Sequence, residues 1–268
     1  MSEREISEQQ ISEQQISEAA PGVLVPDWPA PPGVRAAATT RIGGVSQGPW
    51  ASFNLGERVG DDPAAVHANH QRLADRLGLP GPPQWLLQVH GAQAVAAAGD
   101  GLIRTGDSTW TRDAGVVCAV QGADCLPVLL CDRAGSVVAA VHGGWRGLAA
   151  GVIGQAIAAM AAPPDTLLAW LGPAICGACY EVGDEVRAAF VGRLDAAALA
   201  TCFTSADRVG HWYADLPAIA RAQLLALGVP RAAIHGGDLC TFEDAARFYS
   251  WRRDGITGRQ AALIWREL

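Results

Sequence analysis

Apolar and polar positions repeat along the chain with two periods, and the switches between them outline the secondary structure. Residues 34–41 read as a strand that runs into the glycine-rich turn Gly43-Gly44. At Asp62-Pro63 the pattern turns helical, with aspartate as cap and proline in the first turn, and it stops at Gly78. Residues 84–90, 115–121, 126–131 and 136–142 read as strands. They are followed by an alanine-rich helix over 148–161, a strand over 166–171, helices over 184–192 and 216–227, and a closing strand over 261–265. Helices and strands interleave, but a hairpin interrupts them at 126–142, which predicts an α+β domain instead of a doubly wound parallel sheet. No linker divides residues 22–268, so they are expected to form one domain.

The first residues follow neither period. Ile6, Ile11 and Ile16 recur every five positions, which builds no continuous stripe on a helix or a strand. Residues 1–21 are therefore expected to be a disordered acidic tail, with Pro21, Pro26, Pro29, Pro31 and Pro32 as a stiff lead-in.

Half of the 268 residues are hydrophobic and 18% are charged, an ordinary soluble balance. The net charge of -7 argues against a nucleic-acid or anionic-membrane surface, while leaving room for arginines gathered around a small anion. Seven cysteines at irregular spacing do not form a secreted disulfide framework. No signal-peptide pattern and no apolar run of transmembrane length is seen, and a cytoplasmic enzyme is expected.

Candidate chemistry gathers at the hairpin. With Arg133 and Ala134 as a two-residue loop, Asp132 pairs with Gly135 and Cys125 falls opposite His142, close enough for one metal ion to bridge them. His90 ends the apolar run 85–89 and precedes Gly91, which makes it the natural third ligand. Three protein ligands with a position left free is the arrangement of catalytic zinc. Gly143-Gly144-Trp145-Arg146-Gly147 joins the second hairpin strand to a helix, and its backbone N–H groups with Arg146 suit an anion. Arg41 stands at a strand end, Asn54 follows it in Ser52-Phe53-Asn54, and Arg252, Arg253 and Arg259 form a basic cluster. Cys176 and Cys179 are a single CxxC, read as structural; His67 and His70 share a helix face and are read as surface residues.

These blocks resemble a known family. Gln88-Val89-His90-Gly91, Ala123-Asp124-Cys125-Leu126-Pro127 and His142-Gly143-Gly144-Trp145-Arg146-Gly147 look like the signatures of YfiH-type laccase-domain proteins. Those were first classed as multicopper polyphenol oxidases and later as purine nucleoside phosphorylases. Thr40-Arg41, Gly43-Gly44-Val45-Ser46, Asn54-Leu55-Gly56, Leu171-Gly172-Pro173, Tyr180-Glu181-Val182-Gly183, Ser250-Trp251-Arg252-Arg253-Asp254 and Thr257-Gly258-Arg259 extend the match over residues 24–266. Glycine stands at 143 where the family usually has alanine, and the cysteines after Pro173 are unusually placed.

The resemblance implies a mixed α/β sandwich related to cysteine deamidase toxins, with zinc on His90, Cys125 and His142. It implies phosphorolysis of adenosine, inosine, guanosine and S-methyl-5'-thioadenosine, together with adenosine deamination, by a monomer or homodimer. On that reading Arg41 or Arg146, with Gly143, Gly144 and Arg252, meets phosphate or substrate, and Asp124 and Asn54 orient a water or a substrate hydroxyl. Two rivals stand beside it. One is a copper oxidase, with copper at the same ligands; adventitious copper there would account for weak oxidase activity. The other is a metal-free hydrolase with Cys125 as nucleophile.

Overall fold

The computed structural model describes residues 16–268. The tail expectation for residues 1–15 lies outside the described residues. Ile16–Ala20, assigned to the same tail, forms a strand paired antiparallel with Val23–Pro26.

Two six-stranded sheets make the body. In the first, the order is Ile16–Ala20, Val23–Pro26, Val34–Thr39, Gln260–Arg266, Val117–Gly122 and Pro83–Gln84. In the second it is Ile234–Gly236, Leu167–Leu171, Leu126–Asp132, Val138–Gly143, Ser108–Thr111 and Ala94–Ala96. A smaller sheet holds Glu181–Gly183, His211–Ala214 and Phe203–Ser205.

Strand alternation divides the apolar side chains of the first sheet between two cores. Cys118, Val120, Ala262 and Ile264 face the second sheet and join the main core. Val117, Ala119, Ala261, Leu263 and Trp265 face the other way and pack with Phe53, Leu55 and Leu73, the last from helix Pro63–Leu77. The second sheet is covered by the first sheet and by helix Val152–Met160, which packs on Val138–Gly143 and Ser108–Thr111. Burial on both faces explains why the hairpin strands are apolar at consecutive positions rather than alternating. Leu129 and Leu130 are both fully buried, each worth about 1.5–3 kcal/mol relative to exposure. The result is a four-layer helix–sheet–sheet–helix sandwich, as a mixed α+β domain requires.

The first helix matches its signals closely. The Asp62 side chain accepts from Ala64 N, Pro63 leads, and Gly78 closes it in the left-handed conformation at φ 56°. The helix expected over 148–161 is two, Trp145–Ala150 and Val152–Met160, because Gly151 adopts φ 86° between them. The helix expected over 184–192 is short, Asp184–Ala188. The strand expected over 84–90 is also broken. Pro83–Gln84 joins the first sheet, Leu86–Leu87 pairs with Arg104–Thr105, and His90 lies beyond both.

The hairpin register differs from the one read off the sequence. Cys131 pairs with Val138 and Pro127 with His142, so Cys125 is not directly opposite His142. The cause is Asp132, whose carboxylate accepts the N–H groups of Ser136 and Val137 and the Ser136 hydroxyl, holding a wider loop than two residues. The shift is by two positions, and side chains repeat every two along a strand, so Cys125 and His142 keep the same face.

Candidate metal centre

His90, Cys125 and His142 converge. One donor atom from each lies within 4.8 Å of the others, and Cys125 Sγ is 3.8 Å from His90 Nε2. The two imidazoles meet edge to face with centroids 4.8 Å apart. His142 comes from the second hairpin strand and is buried, Cys125 immediately precedes the first and is half-buried, and His90 is exposed on a loop. His90 and Asp124, the residue before Cys125, both have positive φ, 61° and 92°. Neither is glycine, so these turns are held against their intrinsic preference by their surroundings, as is common where side chains must be aimed.

Asp107 is the residue that holds them, and the sequence reading missed it. It is fully buried. Its carboxylate accepts from the backbone N–H of Val89, His90 and Gly91 at 3.2, 2.8 and 2.7 Å. It also accepts from His142 Nδ1 at 3.0 Å. An ionised carboxylate only accepts, so His142 carries a proton on Nδ1 and directs Nε2 toward the centre. Burial pushes Asp107 upward, but His142 and the Gly91 and His90 amides outweigh it and keep the acid below its ordinary value.

Burial also raises the Cys125 thiol, yet the charge and hydrogen bond of His142, with a smaller part from His90, bring it down to about 6. His142 is lowered by burial and raised by Cys125 and Asp107, to about 9. Each group thus favours the charged form of the other, and a metal ion bound here would take the place of their protons. The donor set fits such an ion. Zinc bonds of about 2.0–2.3 Å set neighbouring tetrahedral donors roughly 3.3–3.7 Å apart, near the 3.8 Å seen here.

Gly144 makes room for the centre. A Cβ on it would lie 2.8 Å from His90 Cδ2 and 3.2 Å from Cys125 Sγ. Gly143 is a packing position, where a Cβ would meet Leu126 O at 2.7 Å.

The centre opens into a cavity of about 500 Å3, large enough for a nucleoside-sized ligand. Trp85, Trp145, Tyr180 and Trp251 contribute aromatic surface, and Arg58, Arg146, Arg252 and Arg259 contribute positive charge. Arg146 lies over the Trp145 ring at 4.4 Å and Arg252 over Tyr180 at 4.7 Å, so both heads are steered by a neighbouring aromatic.

Other predicted residues are placed elsewhere. Arg41 is not on the cavity wall: its guanidinium donates to Ala51 O and Ala245 O and covers Tyr249. Asn54 is fully buried; its Oδ1 accepts from Gly56 N and Arg259 N, and its Nδ2 donates to Asp61, so it shapes the wall from behind. Asp124 borders the cavity, but its oxygens accept from Thr241 Oγ1 and Arg252 N, both at 2.7 Å. Arg253 is spent on Thr241 O, Phe242 O and Phe248 O. His70 stacks on Trp85 at 5.1 Å behind the cavity wall, and so is more than a surface residue.

A sandwich that carries one thiol and two imidazoles at the open floor of a polar–aromatic cavity has the donor set of a metal-capable site with room left for a ligand. Known proteins narrow this further. The family model described as multi-copper polyphenol oxidoreductase laccase matches residues 35–267. A purine nucleoside phosphorylase of Pseudomonas aeruginosa is 51% identical over 242 residues, spanning 90% of this chain and 97% of its own. Purine nucleoside phosphorylase YfiH of Escherichia coli is 46% identical over 244 residues, 91% and 98% of the two chains. Among solved structures, a Neisseria meningitidis protein superposes with a TM-score of 0.85 at 45% identity, over 92% and 100% of the chains. YlmD of Geobacillus stearothermophilus gives 0.88 at 33%, over 94% and 99%. The chain belongs to the YfiH-type laccase-domain family.

Proposed function

We propose that this chain is a zinc-dependent purine nucleoside phosphorylase acting on adenosine, inosine, guanosine and S-methyl-5'-thioadenosine, with adenosine deaminase activity. The observation that carries it is the opening of His90, Cys125 and His142 onto a cavity that joins aromatic walls to arginines. The names of the relatives point the same way.

Zinc would be held by His90, Cys125 and His142 and would supply Lewis acidity at the cavity floor. The remaining work falls to the chain. Trp85, Trp145 and Tyr180 offer faces on which a purine stacks. Arg146 and Arg259 bring positive charge to the anionic oxygens of phosphate and of ribose 1-phosphate. Arg259 is well placed for this, since burial lowers it from its usual value and Cys125 and Asp124 counter that, leaving a partly dehydrated guanidinium in the wall. In phosphorolysis a phosphate oxygen forms the bond to C1' while the bond from C1' to the purine nitrogen breaks; the base takes a proton and ribose 1-phosphate remains. Charge builds on the sugar as the base departs, as in glycoside chemistry generally. In deamination, water adds at C6 of adenine and ammonia leaves.

Copper oxidase chemistry is less well served. Among the described residues the other group able to hold a metal, Cys176, Cys179, Cys240 and Glu243, contains no histidine, and Met160 is buried in the core. A blue-copper site would want an axial methionine.

The reading is tested by incubating purified protein with adenosine and inosine, with and without phosphate, and identifying products. Phosphate-dependent release of base with ribose 1-phosphate is expected, along with phosphate-independent inosine from adenosine. Absence of ribose 1-phosphate from every reaction refutes the phosphorylase, and absence of inosine refutes the deaminase. Zinc near one equivalent at this centre, with activity lost to a chelator and restored by zinc, separates both from a metal-free cysteine hydrolase.

A further inference from the structure

A second donor cluster lies apart from the three ligands above. Cys176, Cys179, Cys240 and Glu243 each bring one donor atom to a place where all four lie within 4.8 Å of one another. In sequence they are two pairs of equal spacing, Cys176-x-x-Cys179 and Cys240-x-x-Glu243. Each pair sits on a tight turn. Gly177–Cys179 is a 3-10 turn with Cys179 N on Cys176 O at 3.0 Å, and Cys240 O accepts from Asp244 N at 3.2 Å. In turns of three to four residues per revolution, side chains three apart project to the same side. Two such pairs facing each other is how zinc knuckles gather their ligands.

The backbone holds the pairs together. Ala174 bridges to Cys240, with Ala174 N on Leu239 O at 3.1 Å and Thr241 N on Ala174 O at 2.9 Å. Cys176 N donates to Cys240 Sγ at 3.3 Å. Cys176 and Cys240 sulfurs are 2.8 Å apart. Asp244 is taken by Arg247, while the neighbouring Glu243 turns its carboxylate toward the thiols.

We propose that Cys176, Cys179, Cys240 and Glu243 form a second metal site, which holds zinc through four protein ligands and serves structure instead of turnover. A full protein ligand set marks a closed site, in contrast to the open three-ligand centre. On loading, each of the three thiols gives its proton to solvent and the carboxylate binds as it stands, so affinity rises with pH. The ion clamps the segment carrying Ile175 and Tyr180, both on the cavity wall, to the segment carrying Thr241, whose hydroxyl holds Asp124. The site is independent of which reaction the cavity supports.

The test uses Cys125→Ala protein, which lacks the thiolate of the first centre, loaded with cobalt(II). Tetrahedral visible bands and strong near-ultraviolet thiolate-to-cobalt charge transfer are expected at one cobalt per chain. Cys240→Ser in that background weakens the charge transfer, by about one third per bound cobalt, and lowers cobalt affinity. Glu243→Gln keeps it but weakens cobalt binding by about 10-fold or more. Unmutated protein from zinc-supplemented growth carries two zinc per chain and resists alkylation at Cys176, Cys179 and Cys240 until chelator is added. Should Cys240→Ser not fold, the exposed Glu243 variant and the unmutated protein still decide. Free alkylation of all three thiols in Cys125→Ala protein without cobalt bands overturns the proposal. So does a Cys176–Cys240 disulfide in protein purified under reducing conditions.

Discussion

Asp107 Oδ1 accepts from His142 Nδ1 at 3.0 Å and from the backbone N–H of His90 at 2.8 Å. One buried carboxylate therefore orients the ring of one histidine and the main chain of the other. Replacing it by asparagine puts an amide NH2 among donors. Asp107→Asn is expected to weaken metal binding by about 10–100-fold, measured by competition with a chromogenic chelator. It should also lower stability by about 1–3 kcal/mol in denaturant melts, because the buried amides lose their acceptor. An unchanged metal affinity would show that the carboxylate plays no part in holding the centre.

Metal-free protein should show an unusually acidic cysteine. Cys125 is brought to about 6, whereas burial pushes Cys118 and Cys131 up to about 12. Alkylation of chelator-treated protein by iodoacetamide is expected to select Cys125 at neutral pH, with a midpoint near 6; a midpoint near 9 contradicts the thiolate–imidazolium pair. The linked stability has a defined sign. The thiol is depressed from 9.0, so its contribution is present above that value and is lost as pH falls through about 6. His142 is raised from 6.5, so its contribution is full below that value and is lost as pH rises through about 9. Between roughly pH 6.5 and 9 the two offset each other, and this pair adds little slope to metal-free stability.

Gly144→Ala isolates the demand for space at the centre. Gly144 has φ -67° and ψ 155°, a conformation alanine adopts freely, so the backbone is not the obstacle. The added methyl meets His90 Cδ2 at 2.8 Å and Cys125 Sγ at 3.2 Å. Metal content and turnover are expected to fall together, by about 10-fold or more, while the thermal midpoint changes little. A fully loaded, fully active variant would mean that His90 swings aside without cost.

Two arginines that look alike in sequence should separate in kinetics. Arg146→Ala is expected to raise the KM for phosphate by about 10-fold or more, with an unchanged thermal midpoint, because Arg146 is exposed on the cavity wall. Arg41→Ala removes bonds to Ala51 O and Ala245 O and the cover over Tyr249, and should cost about 1–3 kcal/mol of stability without that KM effect. The reverse result would return the phosphate role to Arg41.

Much of this molecule is written locally, and those parts were legible. The helix Pro63–Leu77 announces both ends, and His90, Cys125 and His142 stand out by residue type and by the turns beside them. What depends on distant partners was not. The hairpin slipped by two positions because the Asp132 side chain, not loop length alone, sets its turn. Asp107 sits in Gly106-Asp107-Ser108, which reads as ordinary turn sequence until its four donors are in place. Cys176 and Cys179 read as a lone structural CxxC because Cys240, which lies beside them in space, is 64 positions from Cys176. The small sheet Glu181–Gly183, His211–Ala214 and Phe203–Ser205 uses strands too short and too polar to carry a period.

The strand Gln260–Arg266 lies between Val34–Thr39 and Val117–Gly122, and those two strands do not pair with each other. Among the described strands it comes last in sequence, so every residue of the two strands it joins precedes it. Without it the first sheet is two separate halves, with one edge of Val34–Thr39 and one of Val117–Gly122 unsatisfied. Hydrophobic strands with open edges are what chaperones hold and what aggregates recruit. A chain that lacks Gln260–Arg266 accordingly leaves the facing edges of Val34–Thr39 and Val117–Gly122 without partners.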